Sequence, residues 1–334
     1  MQVSGIRFDL NRSRSGFCFP GTASMFKYPG ICRMAGGGNG YPTAMEVISG
    51  ARRDIADGKL FDAFLNLEYY TGDHFHQGRI AEATQLFVEG KRIFEEVNSP
   101  TEFMWGLRIA EHGFRLGRTE EARSLFDSAM SFTEVITSVH GRDQVRFAAS
   151  MIMKDLDRVD EALDIAEKME QISSRFGAVV AITDSLIKSG AAAKAKEVIL
   201  NHGAVTARMI DKQHLSPVQT KVARLIMLAE KLMKIGENKE AEKIVDEGIE
   251  SLGYHSDWWV GRNQYELELL EKSAIVLLGV GKREKAINLL TDGWFNQDYL
   301  DSLTPEQAEV KRIELIEHHH FSQKFGKALK AQRQ

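Results

Sequence analysis

Three acid–base pairs stand at matched positions along this chain: Glu111 with Arg115, Asp184 with Lys188, and Glu230 with Lys234. In each, the acid precedes the base by four residues, about one helical turn, which sets both side chains on one face of an α-helix. That orientation supports an isolated helix by about 0.2–0.5 kcal/mol per pair, and a solvated helix face explains it with no ligand at all. The alternative is a repeated row of opposed charges that holds a partner. Spacing alone leaves both readings open, and the choice depends on which surface these helices line.

Other reactive side chains do not converge. Consecutive helical residues point about 100° apart, so His318, His319 and His320 cannot meet on one metal ion. Glu317 beside them has no second histidine at the four-residue spacing of a zinc-binding helix. His74 and His76 lie two apart and face different sides. The run Gly36-Gly37-Gly38-Asn39-Gly40 lacks the preceding strand and directly following helix that a phosphate loop needs, and reads as a linker. No Gly-x-Ser-x-Gly elbow, Cys-x-x-Cys pair or Walker sequence occurs. The expectation is a protein with no catalytic residues, no cofactor and no metal site.

Composition agrees with an ordered helical protein. Apolar residues make up 43% and charged residues 27%, the charges are mixed in sign, and there are only six prolines among 334 residues. The net charge of −4 gives no electrostatic reason to expect DNA. Residues 1–45 hold Arg7, Arg12, Arg14, Lys27 and Arg33 against a lone Asp9, a local +4 that leaves −8 on the remainder. This basic, Gly- and Ser-rich start contains both cysteines, Cys18 and Cys32, and no apolar segment of secretory type. Residues 1–43 are read as a flexible tail; an organelle transit peptide and a start assigned ahead of Met34 or Met45 are the alternatives. No stretch approaches the roughly 20 apolar residues that span a bilayer, and two cysteines make no disulfide framework, so the cytoplasm is the expected setting, with an organelle as the alternative.

From residue 44 onward the chain reads as successive helices with an internal period. Six stretches share a turn residue, an Ala five positions later and, usually, a larger apolar residue four beyond: Gly78/Ala83/Phe87, Gly117/Ala122/Phe126, Asp157/Ala162/Ala166, Gly190/Ala195/Ile199, Gly236/Ala241/Val245 and Gly281/Ala286/Leu290. Glycine at the turn suits a helix that ends in a left-handed residue. Twelve positions before each Ala stands a small residue: Thr71, Ala110, Ser150, Thr183, Ala229 or Ala274. Sixteen before, Leu67, Val179, Leu225 and Leu270 are large and aliphatic; nine before come Met153, Leu186, Leu232 and Leu277, with His74 and Gly113 as weaker members. These offsets define one buried face on a first helix, and the small column lets a second helix approach closely.

The pattern resembles the tetratricopeptide-repeat (TPR) family over roughly residues 60–300. The resemblance implies an all-α, right-handed α–α superhelix of about six repeats over residues 44–334, with capping helices at both ends. Residues 44–57 and 60–76, around Gly58, form the first cap, and residues 305–331 form one long closing helix that starts at Thr304-Pro305-Glu306. Two features depart from the family. Successive repeat alanines lie 39, 40, 33, 46 and 45 residues apart, where the family has 34, and the inter-repeat proline is missing. In TPR arrays the first helix of each pair lines a concave groove. The resemblance therefore implies a non-catalytic scaffold that binds a protein or peptide there, through Glu68, Arg108, Glu111, Arg115, Asp184, Lys188, Glu230, Lys234 and Glu271. Leu107, Phe147, Val180, Ile226, Met151 and Ile275 accompany these charges in place of the Lys/Asn set that grips a terminal carboxylate. A pentatricopeptide-like RNA binder and the regulatory module of an enzyme are the rival readings; the −8 of the repeat region argues against RNA.

Overall fold

A computed structural model of the chain describes residues 42–99, 102–209, 216–252, 264–291, 303–318 and 323–331. The chain divides into two compact units, Met1–Pro42 and Thr43–Gln334. The reading of residues 1–43 as a tail lies almost wholly outside the described residues, as do Gly36–Gly40, His319 and His320.

The second unit is helical, with no strand among the described residues. Its helices are α1 (Ala44–Ala56), α2 (Leu60–His76), α3 (Ile80–Val97), α4 (Phe103–Arg115), α5 (Thr119–Ser131), α6 (Val139–Asp155), α7 (Val159–Glu167), α8 (Ile172–Lys188), α9 (Ala192–Val198), α10 (Ala204–Arg208), α11 (Pro217–Lys234), α12 (Asn238–Ser251), α13 (Gln264–Gly279), α14 (Arg283–Thr291), α15 (Pro305–His318) and α16 (Gln323–Ala331). A π-helical turn, Ile199–Gly203, joins α9 to α10.

Six helical hairpins, α2–α3, α4–α5, α6–α7, α8–α9, α11–α12 and α13–α14, repeat one backbone device. The turn glycines have φ between 74° and 85°, and Asp157 takes the same left-handed region at 58°. The next residue then works in both directions. Its N–H donates to a carbonyl five residues back, as in Arg79 to His74 at 2.9 Å and Glu237 to Leu232 at 2.9 Å, closing a Schellman cap on the first helix. Its carbonyl accepts from the repeat Ala, as in Arg79 from Ala83 at 3.0 Å and Glu237 from Ala241 at 3.0 Å, which opens the second helix. The interval from turn to Ala is thus set by hydrogen bonding.

All six repeat alanines are fully buried, as are Ala110, Ser150, Thr183, Ala229 and Ala274 in the opposing small column, and Thr71 is nearly so. The Ser150 hydroxyl donates across its hairpin to the Ala162 carbonyl at 2.8 Å, a direct measure of how close the helices come. Gly113 departs from the large residue expected in its column for a steric reason: a Cβ there would stand 2.3 Å from the Phe87 ring. First helices pack on their successors, α2 on α4, α4 on α6, α6 on α8 and α11 on α13. The widest repeat interval, Ala195 to Ala241, holds the π turn and the continuation into α10.

The C-terminal end differs from expectation. The described part of residues 305–331 is two helices and not one: α15 packs against α14 and against α16, α16 packs on α13, and the N–H groups of Lys324 and Phe325 donate to Glu271, as at a helix start. The reason is the apolar stripe of the last segment, which sinks into the core; Phe325 is fully buried and Leu329 nearly so.

Ala241→Glu should destabilise the protein by more than about 4 kcal/mol, because it forces a charge into a fully buried helix contact. Gly236→Ala meets open space and pays only for its left-handed backbone, about 1–2 kcal/mol, whereas Gly113→Ala should cost more through its clash with Phe87. Urea denaturation of the three variants checks the order; an unchanged midpoint for Ala241→Glu would refute the register.

Candidate ligand-binding face

The structure sorts the nine charged candidates by what each side chain meets. On α4, Glu111 forms the expected pair with Arg115 at 2.8 Å and adds Arg108 at 3.0 Å. Its side chain is only 8% exposed, while Arg108 is 48% and Arg115 33% exposed. One buried carboxylate therefore carries two guanidinium groups that reach outward.

The other two pairs do not close. Asp184 is taken by Lys231 of α11 instead of Lys188, and neither Glu230 with Lys234 nor Asp184 with Lys188 comes within ion-pair distance. Lys188 and Lys234 are exposed. Glu271 is turned away from any outer face: buried, it accepts the backbone N–H groups of Lys324 at 2.9 Å and Phe325 at 3.1 Å, and so caps the start of α16. Glu68 lies across from α4, 3.6 Å from His112. Burial pushes the Glu68 carboxyl up, but His112 and then Arg108 outweigh it and hold the group below the usual carboxylate range.

Helix periodicity places Phe61, Leu65 and Tyr69 of α2 beside Trp105, Arg108 and His112 of α4. Phe61 and Trp105 meet edge to face at 5.3 Å, and Trp105 stacks on buried Phe64 at 6.3 Å. Phe61 is nevertheless 58% exposed and Tyr69 40%. Aromatic side chains anchored from below and open above are the usual strong points of a protein interface. The repeat pattern, built on small and aliphatic columns, did not single out Phe61 or Trp105; their signal was two bulky aromatics near the starts of neighbouring first helices.

Sequence spacing also missed a network on the second helices. Arg52 of α1 and Arg92 of α3 both bind Glu89, at 2.8 and 2.7 Å, beside a shallow hollow lined by Met45, Ile48 and Val88. Hydrogen bonds from Arg92, against the opposing effect of burial, and then from Arg52 lower the Glu89 carboxyl to about 2. No cluster of three or more metal-ligating side chains occurs among the described residues, and no helix there is long and apolar enough to cross a membrane.

No family model matches this chain, and no curated protein matches it.

Two substitutions test these assignments. Glu89 has a depressed folded-state value, so its contribution to stability is complete above the ordinary value of 4.5 and disappears as pH falls through about 2. Glu89→Gln should therefore cost about 2 kcal/mol at neutral pH, with the gap from wild type closing as the solution is acidified; urea midpoints across pH would refute this if the gap stayed constant. Glu271→Gln should loosen α16 by about 1–2 kcal/mol, seen as faster amide exchange there with α2 and α4 unchanged.

Proposed function

We propose that residues 43–334 form a right-handed α–α superhelix of TPR type that binds a protein or peptide along its first helices and carries out no chemistry of its own. The observation that supports this most directly is one offset shared by two steps between neighbouring first helices. A Cβ on Gly72 of α2 would stand 2.8 Å from His112 of α4, and Asp184 of α8 meets Lys231 of α11. Once the repeat interval is removed, both pairs have the same offset: eleven positions before one repeat Ala, ten before the next. Similar hairpins that step by a common offset would build a superhelix, and such a stack leaves one extended surface.

That surface holds Phe61, Tyr69 and Trp105 at one end, followed by the Arg108–Glu111–Arg115 group and the exposed Lys188 and Lys234. The aromatic residues supply contact area at small entropic expense, and the charges supply register. A cytoplasmic setting belongs to the same proposal, on the ground that two cysteines call for no oxidising compartment.

The test uses the full chain as bait in native lysate, compared with two matched variants. Phe61→Ser/Trp105→Ser should lower recovery of the specific partner about tenfold, whereas Met45→Ser/Val88→Ser on the second-helix side should not. Loss confined to the second variant would overturn the assignment of the binding face.

A further inference from the structure

The α4 charge group has an asymmetry that ordinary helix support does not need. Glu111 is buried and both of its partners are exposed, so the group offers two guanidiniums to solvent, with the Glu68 carboxylate of α2 acting on Arg108 from the side. Each guanidinium uses one nitrogen on Glu111, Nη1 of Arg108 and Nη2 of Arg115, out of five N–H donors available to it. The carboxylate beneath fixes the two groups one turn to either side of itself and leaves each with donors that Glu111 does not use. Trp105 lies one turn before Arg108 on the same helix, and Phe61 meets it edge to face.

We infer that the α2–α4 part of the face takes a peptide segment bearing an acidic side chain next to a bulky apolar one, the carboxylate on Arg108 and Arg115 and the apolar group against Phe61 and Trp105. Glu111 is then a positioning residue and touches no ligand. This rests on the proposed use of the first helices and adds the chemistry of the occupant. Charge complementarity supports it: an incoming carboxylate meets two partly desolvated guanidiniums that are already ordered, so it forms charge-assisted bonds with little further loss of side-chain freedom. A basic peptide would meet those guanidiniums with repulsion and leave their donors unfilled.

Glu111 provides a diagnostic of opposite signs. If the arginines merely attract negative charge, Glu111→Gln adds net positive charge and tightens binding of an acidic probe. If Glu111 holds them in place, the same change frees both side chains and weakens binding.

The probe is a fluorescein-labelled peptide containing Glu-Glu-Leu-Trp-Glu-Glu-Leu-Phe, read by anisotropy on the full chain. One control replaces every Glu by Lys, and a second replaces every apolar residue by Ser. The acidic probe should bind and both controls should fail. Arg108→Gln should weaken the acidic probe about tenfold and Arg108→Gln/Arg115→Gln about a hundredfold, about 1.4 kcal/mol per factor of ten. Glu111→Gln should weaken it about fivefold, with unchanged thermal melting showing that each variant folds.

Equal binding of the acidic and lysine probes, both lost in Phe61→Ser/Trp105→Ser, would overturn the acidic preference while leaving the first-helix face as the binding surface. Tighter binding by Glu111→Gln would overturn the positioning role. A single-stranded RNA that displaces the probe and is lost in the same arginine variants would overturn a peptide as the occupant. No binding of the acidic probe would overturn the inference alone, since the lysate experiment judges the face independently.

Discussion

Everything in the second unit depends on one residue per hairpin entering the left-handed backbone region. That single φ value reverses the chain within three residues, directs one N–H back into the finished helix and presents one carbonyl to the next. At Gly58, Gly78, Gly117, Gly190, Gly236 and Gly281 a Cβ would touch nothing, so glycine is there for its backbone and not for space. Asp157 occupies the same region, as short polar residues are able to do. With the turn geometry fixed, the second helix always opens at the same distance in sequence from the end of the first. Small residues at matched heights then decide whether they close.

Closure within hairpins is mostly apolar, with the Ser150–Ala162 hydrogen bond as an addition, and a second layer of ion pairs joins one hairpin to the next. Arg52 reaches Glu89, Lys196 reaches Glu237, Arg208 reaches Glu247 and Lys285 reaches Asp246, across sequence separations of 37 to 41 residues. Each links one hairpin's second-helix layer to the next. Exposed pairs of this kind contribute little each. Their value lies in orientation, because a charge paired at a fixed height resists sliding of one hairpin past another. Arg208 depends on the π turn, which carries the helix from Ala192 onward into α10, where it meets Glu247 on α12.

The helical hairpins, their turns and the small buried columns were legible in the sequence because each depends on local geometry repeated six times. Repetition turns a weak signal such as Gly-then-Ala into a strong one. The closing segment was misread for the opposite reason. Residues 305–331 are continuously compatible with helix, and the burial of Phe325 and Leu329 in the core against α13, which sets α16 apart from α15, is something no local pattern reports. Glu271 shows the same limit, since its place among the repeat's charges says nothing of a helix start more than 50 residues later that needs a cap.

The three matched acid–base pairs show why spacing on one helix does not determine pairing. At two steps, Gly72 with His112 and Asp184 with Lys231, the acid's position meets the position ten before the next repeat Ala. For Asp184 that residue is Lys231, which outcompetes Lys188 because it is nearly buried and has few other ways to neutralise its charge. For Glu230 the corresponding residue is the fully buried Val276, which offers no charge, and Lys234 stays in solvent. For Glu111 it is Ile152, almost fully buried, and Arg108 one turn earlier on the same helix completes a three-membered group that α8 and α11 lack, with Ala181 and Met227 in its place. The same sequence spacing thus yields a cross-hairpin tie, an open pair and a forked group, according to which further charge lies within reach. Only the last of these holds two exposed guanidiniums on one buried carboxylate, and for that reason the proposed ligand is assigned to the α2–α4 end and not to the whole charged row.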